Sequence, residues 1–239
     1  MKTMIYPILV ILFFMESCKS HENQSEVLSA IHWHGQACVS FNHQGIKIYI
    51  DPYQLHNCDS AGIILITHPH GDHCSPEDLK MISGTSTVII APAECRSKLA
   101  GIACERIIES YPGFKTQISG ITIEAVPAYN VIKKQFHNRD HGWVGYILTI
   151  DGVRVYHTGD TERIPEMKNI RCDIVLVPLG QVYTMNSVEE ALEVCLDVKT
   201  RVAIPIHYGL YEGTPDDAQK FKELAGKKTE VIILTQLPN

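Results

Sequence analysis

The amino-acid sequence predicts one mixed α/β domain over residues 27–239, and three observations carry that expectation. Short apolar runs recur from Ile31 onward, punctuated by Gly, Pro and Asp. Several of them, such as 62–66 (GIILI) and 173–178, are apolar throughout, the pattern of strands buried on both faces. Capped helix starts and two-residue turns connect these runs, with no linker that would divide the chain further.

Residues 1–26 stand apart from this domain. Lys2 precedes an apolar run from Met4 to Met15, broken only by Pro7, which is too short to span a bilayer and suits the core of a signal peptide. The run closes on Glu16-Ser17-Cys18, and a small residue before such a cysteine resembles the lipobox of bacterial lipoproteins, where the cysteine is lipidated. Glu16 departs from that pattern, which favours a small or apolar residue there. Residues 1–18 are thus expected to be a signal segment and 19–26 a polar tether. The mature chain is expected at the periplasmic side of a bacterial cell envelope, with membrane anchoring through Cys18.

Within the domain, residues 37–41 and 45–50 read as a hairpin that ends at Asp51-Pro52. After the buried run 62–66, Ser75-Pro76-Glu77-Asp78 supplies a helix cap, a proline at the first helical position and an acid three residues past the cap. A strand near 87–90, a helix near 93–100 and a strand near 105–109 follow. Strands at 116–119 and 121–126 meet at Ser119-Gly120, and strands at 144–150 and 153–157 flank the turn Asp151-Gly152. Residues 128–142 lack periodicity and carry Asn130, His137 and His141, as a functional loop would. A buried strand at 173–178, an amphipathic helix at 187–199, a strand at 201–206, a helix at 215–225 and a strand at 230–234 complete the chain.

Composition narrows the function. A net charge of -6 argues against a nucleic-acid partner, which normally meets a basic face. The eight cysteines show no CxxC spacing, so neither a zinc ribbon nor a thioredoxin-like motif is expected.

The chemistry concentrates in Thr-His-Pro-His-Gly-Asp-His, residues 67–73. His68 and His70 can turn toward one ion, and Asp72 and His73 follow beyond Gly71, whose tolerance of positive φ is expected to let the loop curl. Imidazole nitrogen and carboxylate oxygen suit zinc, with manganese or iron as alternatives. Cys74 beside the motif reads as a packed cysteine. Trp33, His34 and Gln36 read as wall or core residues.

His68-x-His70-x-Asp72-His73 after an apolar strand resembles the signature of the metallo-β-lactamase superfamily. Asp51 after a strand, Gly159-Asp160 in YHTGDT and His207 in AIPIHYG match later family positions. Segments VPAYN, HGWVGY and VPLGQVYTM are most similar to the branch holding ascorbate-6-phosphate lactonases and uncharacterised hydrolases. The resemblance implies a four-layer αββα sandwich of two mixed β-sheets flanked by helices, around two divalent metal ions, zinc first. It implies that His68 and His70 hold the first ion, that Asp72, His73 and His207 hold the second, and that Asp160 bridges them, with Asp72 and Asp160 catalytic. Asp51 would orient a ligand, His157 would do the same or be a structural histidine hydrogen-bonded near the hairpin, and Tyr183, Thr184 and Met185 would line the substrate pocket or lie on an exposed loop.

One position departs from the family. Where it usually offers a further histidine, this chain has Pro127-Ala128-Tyr129-Asn130. His137 is the favoured substitute, with Asn130 and His141 as alternatives. The implied activity is hydrolysis of an ester, lactone, amide or phosphodiester by a metal-activated water, acting on a small-molecule or lipid substrate. The alternatives are a phospholipid-type phosphodiesterase at the membrane, a di-iron redox protein and a metal-binding protein without turnover.

Overall fold

The computed structural model describes residues 22–237. The apolar run, Cys18 and the start of the expected tether lie outside them. Residues 22–29 are helical (α1), and Val27 is buried against the core, so the second half of that tether is part of the folded domain.

Six strands form the first sheet in sequence order: β1 (His32–Gly35), β2 (Cys38–His43), β3 (Ile46–Ile50), β4 (Ile63–Leu65), β5 (Val88–Pro92) and β6 (Arg106–Ser110). Seven form the second: β7 (Lys115–Ile118), β8 (Ile121–Pro127), β9 (Val144–Ile150), β10 (Val153–His157), β11 (Ile174–Pro178), β12 (Val202–Ile206) and β13 (Glu230–Val231). Each sheet joins antiparallel hairpins to a parallel half, β3 to β6 in one and β10 to β13 in the other.

Alternation along each strand builds the layers. In β4, Ile63 and Leu65 enter the core between the sheets, whereas Ile64 faces outward and meets Leu79 and Ile82 of α2 (Pro76–Ile82) and Leu99 of α3 (Arg96–Leu99). The outer face of the second sheet is covered by α4 (Val188–Val198) and α5 (Pro215–Ala225), through side chains such as Val194, Val198 and Phe221. Each fully buried Ile, Leu or Phe contributes roughly 1.5–3 kcal/mol. The result is the expected αββα sandwich.

Several local expectations change. Ser75 caps α2 by accepting from Asp78 N, and the Asp78 carboxylate turns away from the helix end to accept from Leu55 N. The helix near 93–100 begins as a 3₁₀ turn, Ala93–Cys95, before α3. The last strand stops at Val231 because the chain then crosses to the other sheet, where Leu237 N donates to Trp33 O. Gly71 does not adopt positive φ; Cys74 N donating to His70 O closes the motif loop as a helical turn.

Candidate metal centre

In parallel sheets, ligand sites gather at the carboxyl ends of the strands. Asp51 follows β3, His68 follows β4, Asp160 follows β10 and His207 follows β12. The loop between β8 and β9 brings His137 over them. Three groups of donor atoms emerge: His68, His70 and His137; His68, His73 and Asp160; and Asp72, His73 and His207.

Asp160 Oδ2 is the hub. It lies 3.8 Å from His68 Nε2, 3.3 Å from His73 Nε2, 3.4 Å from His137 Nε2 and 3.1 Å from His207 Nε2. Two donors on a tetrahedral ion, each about 2.0–2.1 Å from it, sit roughly 3.3 Å apart. Asp72 Oδ2 has similar spacings, 3.4 Å to His73 Nε2 and 3.7 Å to His207 Nε2. His73 Nε2, His137 Nε2 and Asp160 Oδ1 are buried with no hydrogen-bond partner. Buried polar atoms are rarely left so, and these converge on one space with the spacing of metal donors. The residues therefore fit divalent ions.

The remaining nitrogens are held from behind. Asp51 Oδ2 accepts from His73 Nδ1 at 2.8 Å and from the Thr67 hydroxyl at 2.7 Å. Thr67 spends its proton there, so His68 Nδ1, 2.9 Å from the same hydroxyl, is the donor. Both rings thereby turn Nε2 inward. Glu212 Oε1 lies 2.9 Å from His207 Nδ1. Trp143 stands against His68 and His70, with ring centroids 5.0 Å from each. Asp51, His207 and Gln36 all have positive φ, of 50°, 56° and 49°. Non-glycine residues in that region are uncommon, and three at one site show backbone constraint imposed by the surrounding contacts.

Charge divides the centre in two. Burial and neighbouring imidazoles hold His68 well below the usual histidine range and bring His70 down to about 4. On His73, burial opposes charge, but Asp160, Asp72 and Asp51 outweigh it and raise the imidazole well above that range; Asp160 does the same for His207. Burial likewise pushes Asp160 up, yet His207 and His73 hold its carboxyl far below the ordinary carboxylate range.

His137 is the ring that closes the first donor group, and the two alternatives are placed elsewhere. Asn130 spends both amide hydrogens on Tyr183 O and Lys133 O, at 2.7 and 3.1 Å, while its backbone N donates to His137 O. It braces the His137 loop, and its Oδ1 is buried without a hydrogen-bond partner. His141 stacks on Trp143 with Nδ1 3.0 Å from Glu94. His157 takes the structural alternative: its Nε2 donates to Ala37 O and its Nδ1 accepts from Gly159 N, so it shapes the turn before Asp160. Cys74 is buried in the outer core with Leu79.

A cleft of ≈ 250 Å³ opens beside the centre, lined by the exposed edge of His70, Asp72, His137, Asp160 and His207 together with Gln36, Phe136, Tyr183 and Tyr211. Of the three expected pocket residues only Tyr183 reaches it. Thr184 is buried with its hydroxyl on Glu212, and Met185 lies in the central core. Gln36, read from sequence as wall or core, stands at the centre: its Nε2 is 3.0 Å from Asp72 Oδ2 and 2.8 Å from His207 Nε2. Glu212 carries no sequence signal beyond lying five residues after His207; its carboxylate also accepts from Val182 N and Tyr183 N.

The model of the Beta-lactamase superfamily domain family matches residues 30–207. A UPF0173 metal-dependent hydrolase of Archaeoglobus fulgidus is 34% identical over 228 residues, covering 85% of this chain and 95% of the relative. Its counterpart in Thermococcus onnurineus is 31% identical over 209 residues, covering 79% and 88%. A solved structure described as a metal-dependent hydrolase from Parabacteroides distasonis ATCC 8503 shares 34% identity with a TM-score of 0.77, covering 87% of this chain and 93% of that one.

Proposed function

Because this chain belongs to the beta-lactamase superfamily of metal-dependent hydrolases, we propose that it cleaves an ester, lactone, amide or phosphodiester bond at a two-ion centre. The observation that carries this reading is the placement of one carboxylate oxygen, Asp160 Oδ2, within 3.8 Å of four imidazole nitrogens drawn from both donor groups. His68, His70 and His137 would hold one ion, Asp72, His73 and His207 the other, and Asp160 both. The nitrogen-rich donors with few carboxylates favour zinc, with manganese or iron as alternatives. When bound, such ions lower the pKa of water to about 7 and polarise the substrate oxygen.

The chain's own residues do the rest. Asp51 and Glu212 fix which nitrogen of His73 and His207 points inward. Gln36 donates to Asp72 Oδ2 and keeps that carboxylate turned toward the cleft. Asp72 is positioned there to accept a proton as water adds and to return it to the leaving group. Trp143 keeps His68 and His70 from rotating away.

The test combines metal analysis with hydrolysis of ester, lactone, phosphodiester and β-lactam substrates by metal-reconstituted protein. Two ions per chain and turnover are expected, with both lost in Asp160→Asn while circular dichroism is unchanged. Wild-type turnover in that variant would overturn the two-ion reading, and two irons with a visible absorption band would favour redox chemistry instead. We further propose that the mature chain is an envelope lipoprotein, on the strength of the apolar run and Cys18. Labelling with radioactive palmitate that persists in Cys18→Ser would overturn this.

A further inference from the structure

We infer that the substrate is a small, uncharged carboxylic acid derivative carrying an aromatic or branched apolar group, and not a phosphate ester or phospholipid. This rests on the hydrolytic reading above and narrows it. Among the described residues, no lysine or arginine lines the cleft. Sites for phosphate or carboxylate groups usually supply such cations, which pair with the anion directly. The nearby Lys133 is committed elsewhere, its ammonium donating to Met185 O at 2.9 Å and lying 4.0 Å from Glu162.

Charge bookkeeping points the same way. Asp72 and Asp160 present carboxylates to the cleft, and Asp51 and Glu212 stand behind His73 and His207. Besides Gln36, the cleft's remaining walls are aromatic and come from three separate loops: Phe136, Tyr183 and Tyr211. Phe136 and Tyr183 meet edge to face, with centroids 4.9 Å apart, the geometry of a preformed aromatic wall. Val131, Ile132, Val182 and Leu210, on the same three loops, are 44%, 72%, 51% and 47% exposed. Large exposed apolar side chains on the loops that supply the cleft's aromatic walls add to the apolar surface those loops offer.

Size limits the ligand further. A volume of ≈ 250 Å³ lies below the ~300–1,000 Å³ typical of sites for drug-sized molecules, so a diacyl lipid would leave its chains outside. Asn23, in α1, donates to Asp151 O at the β9–β10 turn. That turn lies at the end of β9 remote from Val144 and the centre, roughly 20 Å away at ~3.3 Å per residue. The start of α1 therefore meets the domain at the end of β9 remote from the cleft.

The experiment has two arms. In the first, metal-loaded protein is given 4-nitrophenyl butyrate and the 4-nitrophenyl half-ester of succinate, acyl groups of similar length that differ by a carboxylate. At least a 10-fold higher kcat/KM for the butyrate is expected; equal or higher kcat/KM for the succinate would overturn the inference. In the second arm, metal-free protein is mixed with benzamide and examined by saturation-transfer NMR. Transfer to the ring protons is expected, reduced at least two-fold by Phe136→Ala and by Tyr183→Ala; no transfer, or transfer unaffected by both, would also overturn it. Benzamide binding with neither ester hydrolysed would remove the hydrolytic reading while leaving the aromatic site in place.

Discussion

Asp51 Oδ2 accepts the Nδ1–H of His73 at 2.8 Å, and both side chains are completely buried. One carboxylate, never in contact with the cleft, thus decides which face of a candidate ligand points inward. Asp51→Asn replaces an acceptor with an amide that can present its donor side to His73 and allow the ring to flip. Losing such a partner typically weakens metal affinity 10–100-fold. Chelator competition should show that drop for the ion held by His73, and Thr67→Val, which spares the Asp51–His73 bond, should show less. Equal loss in both variants would mean that Asp51 acts through the loop backbone alone.

His137 and Asn130 make different predictions. His137→Ala removes a donor ring and should lower metal content from two ions per chain toward one, by elemental analysis. Asn130→Ala removes only the brace and should retain two ions with weaker binding. Two ions and full activity in His137→Ala would exclude His137 as a ligand.

The pH dependence follows from the raised His73 and His207. Their ordinary value is 6.5 and both stand well above it in the fold. In metal-free protein their ion pairs therefore stabilise fully below about pH 6.5, and that contribution is lost as pH rises through the raised values. Metal binding must displace these protons, so affinity should rise with pH across the neutral range. His70, lowered to about 4, is already neutral there and adds nothing to the slope. Calorimetry in two buffers of different ionisation heat should report about two protons released at pH 7. Release of none would show that the two rings are neutral in the metal-free state.

Gly180 has no room for a side chain, because a Cβ there would stand 1.7 Å from Glu212 Cδ. Gly180→Ala should push Glu212 off His207 and off the backbone amides of Val182 and Tyr183. A destabilisation of about 1–3 kcal/mol in thermal unfolding, with reduced metal affinity that Glu212→Gln also shows, is expected. Unchanged metal binding in both variants would mean that Glu212 only anchors its loop.

Local chemistry was enough to read the capped helix at Ser75, the turn at Asp151-Gly152, the buried strand before His68 and the histidine motif itself, because each is written in neighbouring residues. The matches at Asp51, Asp160 and His207 were legible through the family resemblance. What the sequence could not rank by physics was how distant loops meet. Gln36, Glu212 and Trp143 join the centre from the β1–β2 turn, the loop after β12 and the start of β9, segments that only the packing of the two sheets brings together. The same holds for the third ligand. Asn130 and His137 lie on one loop, and only the folded chain places His137 Nε2 3.4 Å from Asp160 Oδ2 while the amide nitrogen of Asn130 meets Tyr183 O and Lys133 O.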